Sequence, residues 1–417
     1  MMKLRTGPGI LVLGAGMVGT AAAWHLARLG HRVVLVDTHP IGDAPDPDDA
    51  HVIDPEAGPA IAAASDALDL GGPAAGAPTG CRLAALIRDL FDFTDPLDRE
   101  DRAERARALA GLCRLAPLEH RRMARVAGAE ALYRDTGRIR VYRSRAGFAA
   151  AASLHAAADR AGIDHRCLDG DELLDLEPDL APIAHRAVWW PQTRTVASPA
   201  ALLRVIGAAF LAEGGRFVIG DARSLRRGGE GWTVATRSGE ISARRVLLAL
   251  GAASQTLLAM FGVRLPFAVP SRRCLRFQTD GETRLGRPVL DVEGGYGLTP
   301  ITAGVRLTTG FGIAAPVGGP PKLRPLDRVT ASARQLFPLG RWIEAAEELR
   351  RRAAFTDGLP VMGRAPGLPD AWLDLGQDAR AFALGPICGR LIAEAMSGRP
   401  TALPLTPFGA ERFGSGW

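Results

Sequence analysis

Lysine is nearly missing from this chain of 417 residues: of its 51 basic residues only Lys3 and Lys322 are lysines, and all the others are arginine. The net charge of +6 is therefore carried by scattered guanidinium groups in a sequence also rich in Ala, Gly and Pro, a bias of composition more than the mark of a site. No stretch gathers the charge with interleaved aromatics, so the basic balance does not imply nucleic-acid binding. Cysteine is scarce as well. Cys81, Cys113, Cys167, Cys274 and Cys388 are odd in number and scattered, without metal-ligand spacing. They read as free thiols in a reducing compartment, and no metal site is expected. No apolar run reaches the roughly 20 residues that a spanning helix needs. Lys3 and Arg5 precede an apolar run in the manner of a signal peptide, but that run belongs to the motif described next, and cleavage there would destroy it.

What the chain does contain is organised around Ile10 to Asp37. Ile10-Leu11-Val12-Leu13 is a short apolar run, the kind of strand that a parallel sheet buries on both faces. Gly14-Ala15-Gly16-Met17-Val18-Gly19 follows, then a helical stretch from Thr20 to Leu29, and then Val33-Val34-Leu35-Val36-Asp37. The first glycine permits a tight turn, the second lets a pyrophosphate approach the backbone, and the third lets helix and strand pack closely. The start of the helix presents free N–H groups and the positive end of its dipole to phosphates. Asp37 ends the second strand, where a carboxylate can accept hydrogen bonds from an adenosine ribose and would repel a 2′-phosphate. The motif predicts a dinucleotide, FAD or NAD in preference to NADP, and by itself does not separate the first two.

Nearly half the residues are apolar, enough for two sizeable cores or one interrupted domain with an insertion. The Pro- and Asp-rich segment 38–55 and the stretch Gly71 to Gly80 read as loops. Apolar spacing predicts helices over Arg82 to Phe93, Glu100 to Arg125 and Ala146 to Ala161. Ser198 followed by Pro199 reads as the cap and first position of a helix reaching Glu213. Short strands are expected at Arg138 to Tyr142, Val188 to Trp190, Arg216 to Ile219, Trp232 to Thr236 and Arg245 to Leu250. Further strands follow from Leu265 to Gly312, then a Pro/Gly linker over Pro316 to Pro325 and a helix from Leu326 to Phe337. A strand over Trp372 to Leu375 ends in Gly376, and Gly385-Pro386 opens a final helix running to Met396.

Several pieces in this order resemble the FAD-dependent amine oxidoreductases of the D-amino-acid dehydrogenase and glycine oxidase family. They are the glycine motif, Ala249-Leu250-Gly251 after an apolar strand, Pro288-Val289-Leu290-Asp291 with Gly295-Tyr296, and Arg306-Leu307-Thr308-Thr309-Gly310. To these are added Leu336-Phe337-Pro338-Leu339-Gly340, Asp357-Gly358-Leu359-Pro360-Val361-Met362-Gly363, and Leu384-Gly385-Pro386 with Gly389-Arg390-Leu391. The resemblance implies an α/β fold: a Rossmann-like FAD-binding domain interrupted twice by a smaller α+β substrate domain with an antiparallel sheet. The expected bounds are 1–90, 196–262 and 348–417 for the FAD-binding domain, and 91–195 and 263–347 for the substrate domain. It implies non-covalent FAD, held by Gly14, Ala15, Gly16, Met17, Val18, Gly19 and Asp37 together with Val218, Ala249, Gly251, Gly376 and Gly385.

The chemistry so implied is oxidation of a small amino or imino acid, with hydride passing from the α-carbon to the flavin. Arg352 is the candidate clamp for the substrate carboxylate, its alternative being a solvated run with Arg350 and Arg351. Tyr296, one of only three tyrosines, is the candidate hydrogen-bond donor to substrate, its alternative being a packed strand residue. Since some oxidases of this superfamily use a lysine beside the flavin to activate oxygen, the near absence of lysine favours a dehydrogenase with an unknown electron acceptor.

Four departures from the family pattern stand near the chemistry. They are the acidic stretch Pro45 to His51, Arg272-Arg273-Cys274-Leu275, Glu348 to Ala353 around Arg352, and Gly376-Gln377-Asp378-Ala379-Arg380-Ala381. These leave a second reading open, a degenerate partner subunit of a heteromeric dehydrogenase or a catalytically silent binding protein. The expected location is cytoplasmic, with peripheral attachment to the inner membrane face as an option.

Overall fold

The computed structural model of the protein describes residues 9–43, 52–57, 99–196, 198–229, 231–268, 271–302, 304–312, 325–343, 348–351, 353–355 and 357–414. The helix expected over 82–93, the loop 71–80, the acidic stretch 45–51, the Pro/Gly linker at 316–324 and Arg352 lie outside those residues.

The first layer is a six-stranded sheet centred on β1 (Ile10–Leu13), whose four residues have no exposed surface. β1 pairs in parallel with β2 (Val33–Asp37) on one side and with Arg245–Leu248 on the other. Arg216–Ile219 and Ala371–Leu375 extend the sheet in parallel, and Val361–Arg364 closes one edge antiparallel. Leucine, valine and isoleucine on both faces suit a sheet covered from both sides. One cover is helical: α1 (Met17–Arg28), Arg99–Ala127, Pro199–Ala212 and Ala381–Met396 share the first core. The other is a three-stranded meander, Arg226–Gly228, Gly231–Thr236 and Gly239–Ala243, packed with the helix Ala253–Met260 around Trp232, Leu257 and Leu258.

α1 is buried over eleven of its twelve residues, as a helix apolar on all sides must be. It packs directly on the C-terminal helix, where a Cβ at Gly389 would stand 2.6 Å from the Ala22 nitrogen. The helix after Ser198 forms as read, with the Ser198 hydroxyl accepting the Ala201 N–H at 3.2 Å. The single helix expected over 146–161 is instead two, Arg145–Ala150 and Ala152–Arg160. The break at Ala151 turns that residue, Leu154 and Ala158 onto Tyr142, Val188 and Trp190 in a small separate core.

The second layer is a nine-stranded, largely antiparallel sheet built from segments between 138 and 190 and between 271 and 351. Alternation divides its faces. Ile139, Val141, Leu275, Leu298 and Leu307 join the helix Leu326–Leu336 in the third core. The opposite face carries Arg138, Arg140, Cys274, Thr299, Arg306 and Thr308 by register. This face is polar, yet all of these except Arg138 belong to the buried set. It turns toward the first layer, because Arg138 Nη1 pairs with Asp54 Oδ2 at 2.9 Å and the segment Val52–Ile53 packs on the C-terminal helix.

Candidate functional site

Every glycine-loop residue singled out in the sequence lies at one edge of the parallel sheet, where the strands end. β1 runs into Gly14, β2 ends at Asp37, Val218 pairs with Val36, Ala249 and Gly251 follow Arg245–Leu248, and Gly376 follows Ala371–Leu375. Open parallel sheets bind ligands in the crevice outside these carboxyl ends. Gly14 has φ +104°, and a Cβ there would stand 2.4 Å from the Ala249 carbonyl oxygen. A Cβ at Gly19 would stand 1.8 Å from the Gly14 carbonyl oxygen, so no side chain fits either position. Gly16 differs: a Cβ there meets nothing within 4 Å. The space beside it faces the start of α1, which has no side-chain cap and no acid in its first turn. Backbone, free N–H groups and helix dipole therefore converge on an open position, a cradle suited to a pyrophosphate.

Asp37 secures this cradle. Its Oδ2 accepts the Ala15 N–H at 2.7 Å, while Oδ1 accepts the His39 N–H at 3.1 Å. The carboxylate thus ties the glycine loop to the end of β2.

A second wall comes from the C-terminal helix. It begins at Ala381, a full turn before the expected start, and Pro386 lies inside it. Proline has no N–H to offer the carbonyl four residues earlier, that of Phe382. His120 supplies the missing donor. Its Nε2 lies 3.2 Å from the Phe382 oxygen and 3.0 Å from that of Ala383. Both partners are acceptors, so Nε2 carries the proton and Nδ1 accepts from the Tyr133 hydroxyl at 3.0 Å. Burial, outweighing these bonds, lowers the His120 pKa to about 4, which keeps the ring neutral. A Cβ at Gly385 would stand 2.7 Å from Met17 Cγ, so the helix start lies directly on the glycine loop.

Beneath that helix is a buried acid that the sequence did not single out. Asp374 is 1% exposed; its Oδ1 accepts from Gln377 Nε2 at 2.6 Å and its Oδ2 has no hydrogen-bond partner. Burial pushes its pKa up to about 8, and the Gln377 bond offsets that only in part. The same burial holds the Cys388 thiol well above its ordinary range, so this cysteine is inert. Arg380 does not simply face solvent: Nη2 donates to the Gly358 carbonyl at 3.3 Å, tying the helix start to the Asp357-Gly358 turn. That turn is anchored by Asp357, whose side chain is 1% exposed. Arg412 grips it with Nε at 2.6 Å from Oδ2 and Nη2 at 3.3 Å from Oδ1, and Arg105 Nη1 stands at 3.5 Å.

Tyr296 is placed in the packed-strand role. It is fully buried in the third core, and its hydroxyl donates to the Ser332 carbonyl at 3.1 Å while accepting from Arg143 Nη2 at 3.0 Å. Arg143 also pairs with buried Asp291 at 2.7 Å, and burial raises the Tyr296 phenol above its ordinary pKa. Its hydroxyl is thus committed to a structural network. On the polar face, Glu56 is fully buried, accepting from Thr193 Oγ1 at 2.8 Å with Arg138 Nη1 at 3.9 Å. Burial, reinforced by Asp54 and opposed by Arg138 and Arg140, raises the Glu56 pKa. His120, Asp357 with Arg412, and Asp374 went unread as site-shaping residues. Pro386 was the one sequence signal, but read as the opening of the helix it asks for no donor; only the start at Ala381 leaves the Phe382 carbonyl to be served from elsewhere.

Among the described residues no helix is long and apolar enough to cross a membrane, and no cluster of His, Cys, Asp and Glu could hold a metal ion. Residues 9–395 match the family described as FAD dependent oxidoreductase. The chain is 27% identical to a D-amino-acid oxidase of Bradyrhizobium diazoefficiens, over 98% of this chain and 99% of that protein. It is 28% identical to a D-amino acid dehydrogenase of Cereibacter sphaeroides, over 97% and 95%. Among solved structures it superposes on the glycine oxidase from Geobacillus kaustophilus with a TM-score of 0.69 at 19% identity, covering 97% of this chain and 98% of that one.

Proposed function

The chain belongs to the FAD-dependent oxidoreductase family, and on that premise we propose that it oxidises a small amino or imino acid as a dehydrogenase. The observation that carries the reading is the conjunction at one sheet edge of an open cradle at Gly16 and a helix start held by His120, on a helix whose neighbour segment 52–54 is tied to a buried polar sheet face. When bound, FAD supplies the hydride acceptor. The glycine loop and the first turn of α1 would hold its pyrophosphate, and Asp37 would read its adenosine ribose. The start of Ala381–Met396 directs its positive dipole end toward the same edge, where it favours negative charge.

Arg352 is proposed as the partner of the substrate carboxylate, by its position in sequence before Asp357-Gly358-Leu359-Pro360. Its fork of donors suits a carboxylate and fixes the α-carbon relative to the acceptor. The named relatives, an amino-acid oxidase and an amino-acid dehydrogenase, support the substrate class. The scarcity of lysine supports transfer to an acceptor other than oxygen.

The test is anaerobic bleaching of the flavin across D- and L-amino acids, prolines and sarcosine, with wild type and Arg352→Ala. Losing a charge-assisted contact of about 2–4 kcal/mol should lower specificity roughly 30- to 1000-fold. Equal bleaching of both proteins removes Arg352 from the role. A flavin-loaded wild type that no compound bleaches removes amino-acid oxidation. Fast reoxidation by oxygen, faster than by an artificial dye, would make it an oxidase.

A further inference from the structure

At the edge of the parallel sheet opposite the glycine loop, a cavity of 740 Å³ opens where strands begin and helices end. Arg32 enters β2 there, Arg244 and Arg245 enter the third parallel strand, and Arg364 leaves the antiparallel edge strand, so the topology gathers four arginines from three distant segments. Asp370 is the one carboxylate among the described residues lining the cavity. Arg245 Nη1 donates to the Met396 carbonyl at 2.5 Å, the end of the C-terminal helix, and Arg364 lies 5.0 Å from the centre of the Trp372 ring. A helix end supplies only about half a negative charge, and an indole face supplies none. Even with Arg32 left out of the balance, Arg244, Arg245 and Arg364 set against Asp370 and that helix end keep a surplus of positive charge in a concave space. The arginines feel it: burial first, then repulsion from Arg244 and Arg364, draws the Arg245 pKa down, with Asp370 opposing.

We propose that this cavity binds a phosphate-bearing small anion at a site separate from the cofactor. Guanidinium forks match phosphate oxygens in pairs, and a multiply charged phosphate relieves more of the mutual repulsion than a lone carboxylate does. The volume falls in the range of about 300–1,000 Å³ usual for small-molecule sites, enough for a nucleotide or a pyrophosphate.

The test uses FAD-loaded protein, in which the glycine cradle is already filled, titrated by calorimetry with inorganic pyrophosphate, ATP and citrate at low and at high salt. Saturable pyrophosphate or ATP binding is expected, weakening with salt and falling roughly ten-fold or more in the Arg244→Ala/Arg364→Ala double variant. Both side chains are exposed, so that variant should keep its flavin spectrum and its melting temperature in the absence of phosphate. Tighter binding of ATP than of pyrophosphate assigns an organic phosphate, and the reverse assigns a free one. Absence of saturable binding at millimolar ligand in low salt, equal binding by the double variant, or citrate binding as tightly as either phosphate would each overturn the proposal.

Discussion

His120 and Phe382 are joined by a bond that an ordinary helix would make within itself: the imidazole Nε2 donates across 3.2 Å to the carbonyl that Pro386 leaves unserved. The two residues lie 262 positions apart, and the bond lets the helix start one turn before its proline, against the glycine loop. Replacing His120 by Leu strands this carbonyl and the Tyr133 hydroxyl together. The expected loss is about 2–4 kcal/mol in urea unfolding, with His120→Gln recovering part of it because an amide offers both a donor and an acceptor. Unchanged midpoints in His120→Leu would show that the bond does not support the fold.

Acid should weaken the protein well before its surface carboxylates titrate. Burial takes the His25 pKa to about 3, with Arg122, Arg390 and Arg28 adding to the effect, and takes that of His120 to about 4. A histidine in the unfolded chain has its ordinary pKa of 6.5. Between that value and the folded ones the unfolded chain binds protons that the folded chain refuses. The contribution of these two histidines is therefore full above pH 6.5 and falls as pH drops toward 4, by up to about 1.4 kcal/mol per unit for each. Denaturation curves from pH 4 to 8 should lose one such slope in His120→Gln; an unaltered slope would mean that this ring is not buried neutral.

Asp374 works in the opposite direction. Its folded pKa of about 8 lies above the 3.8 of an ordinary aspartate, so between these values the folded chain holds a proton that the unfolded chain has released. This residue's contribution to stability is lost as pH rises through that interval. Asp374→Asn, which keeps an acceptor for Gln377, should be more stable than wild type at pH 8, with the gap narrowing toward pH 4. A variant less stable at pH 8 would assign the carboxyl a partner that its unpaired Oδ2 does not show.

The glycine loop should separate folding from cofactor retention. A side chain at position 16 enters open space, whereas one at position 19 collides with backbone. Gly16→Val is expected to unfold like the flavin-free wild type yet be purified colourless. Gly19→Ala should lower stability even without flavin, because the Gly14 carbonyl must move. Circular dichroism melts paired with flavin absorbance test both, and a yellow Gly16→Val would place the pyrophosphate elsewhere.

What the sequence determined by itself is local. Strand, glycine turn, helix and second strand from Ile10 to Asp37 form as read, because each step depends on backbone conformation and burial within a few residues. The same holds for Ser198 with Pro199, whose capping bond spans three positions. The family resemblance added the α/β architecture with its antiparallel second sheet, since the order of its motifs reflects the order of strands. Only the tertiary structure decided where buried polar groups find their partners. Asp357 meets Arg412 55 positions later, Tyr296 meets Arg143 153 positions earlier, and His120 meets a carbonyl in the last long helix. A buried charge or hydroxyl must be satisfied by whatever group the packing brings near, and the residue types that can do so are too common for spacing to reveal the pair. The arginine-lined cavity is of the same kind: its charges come from the starts and ends of strands that only the parallel sheet sets side by side.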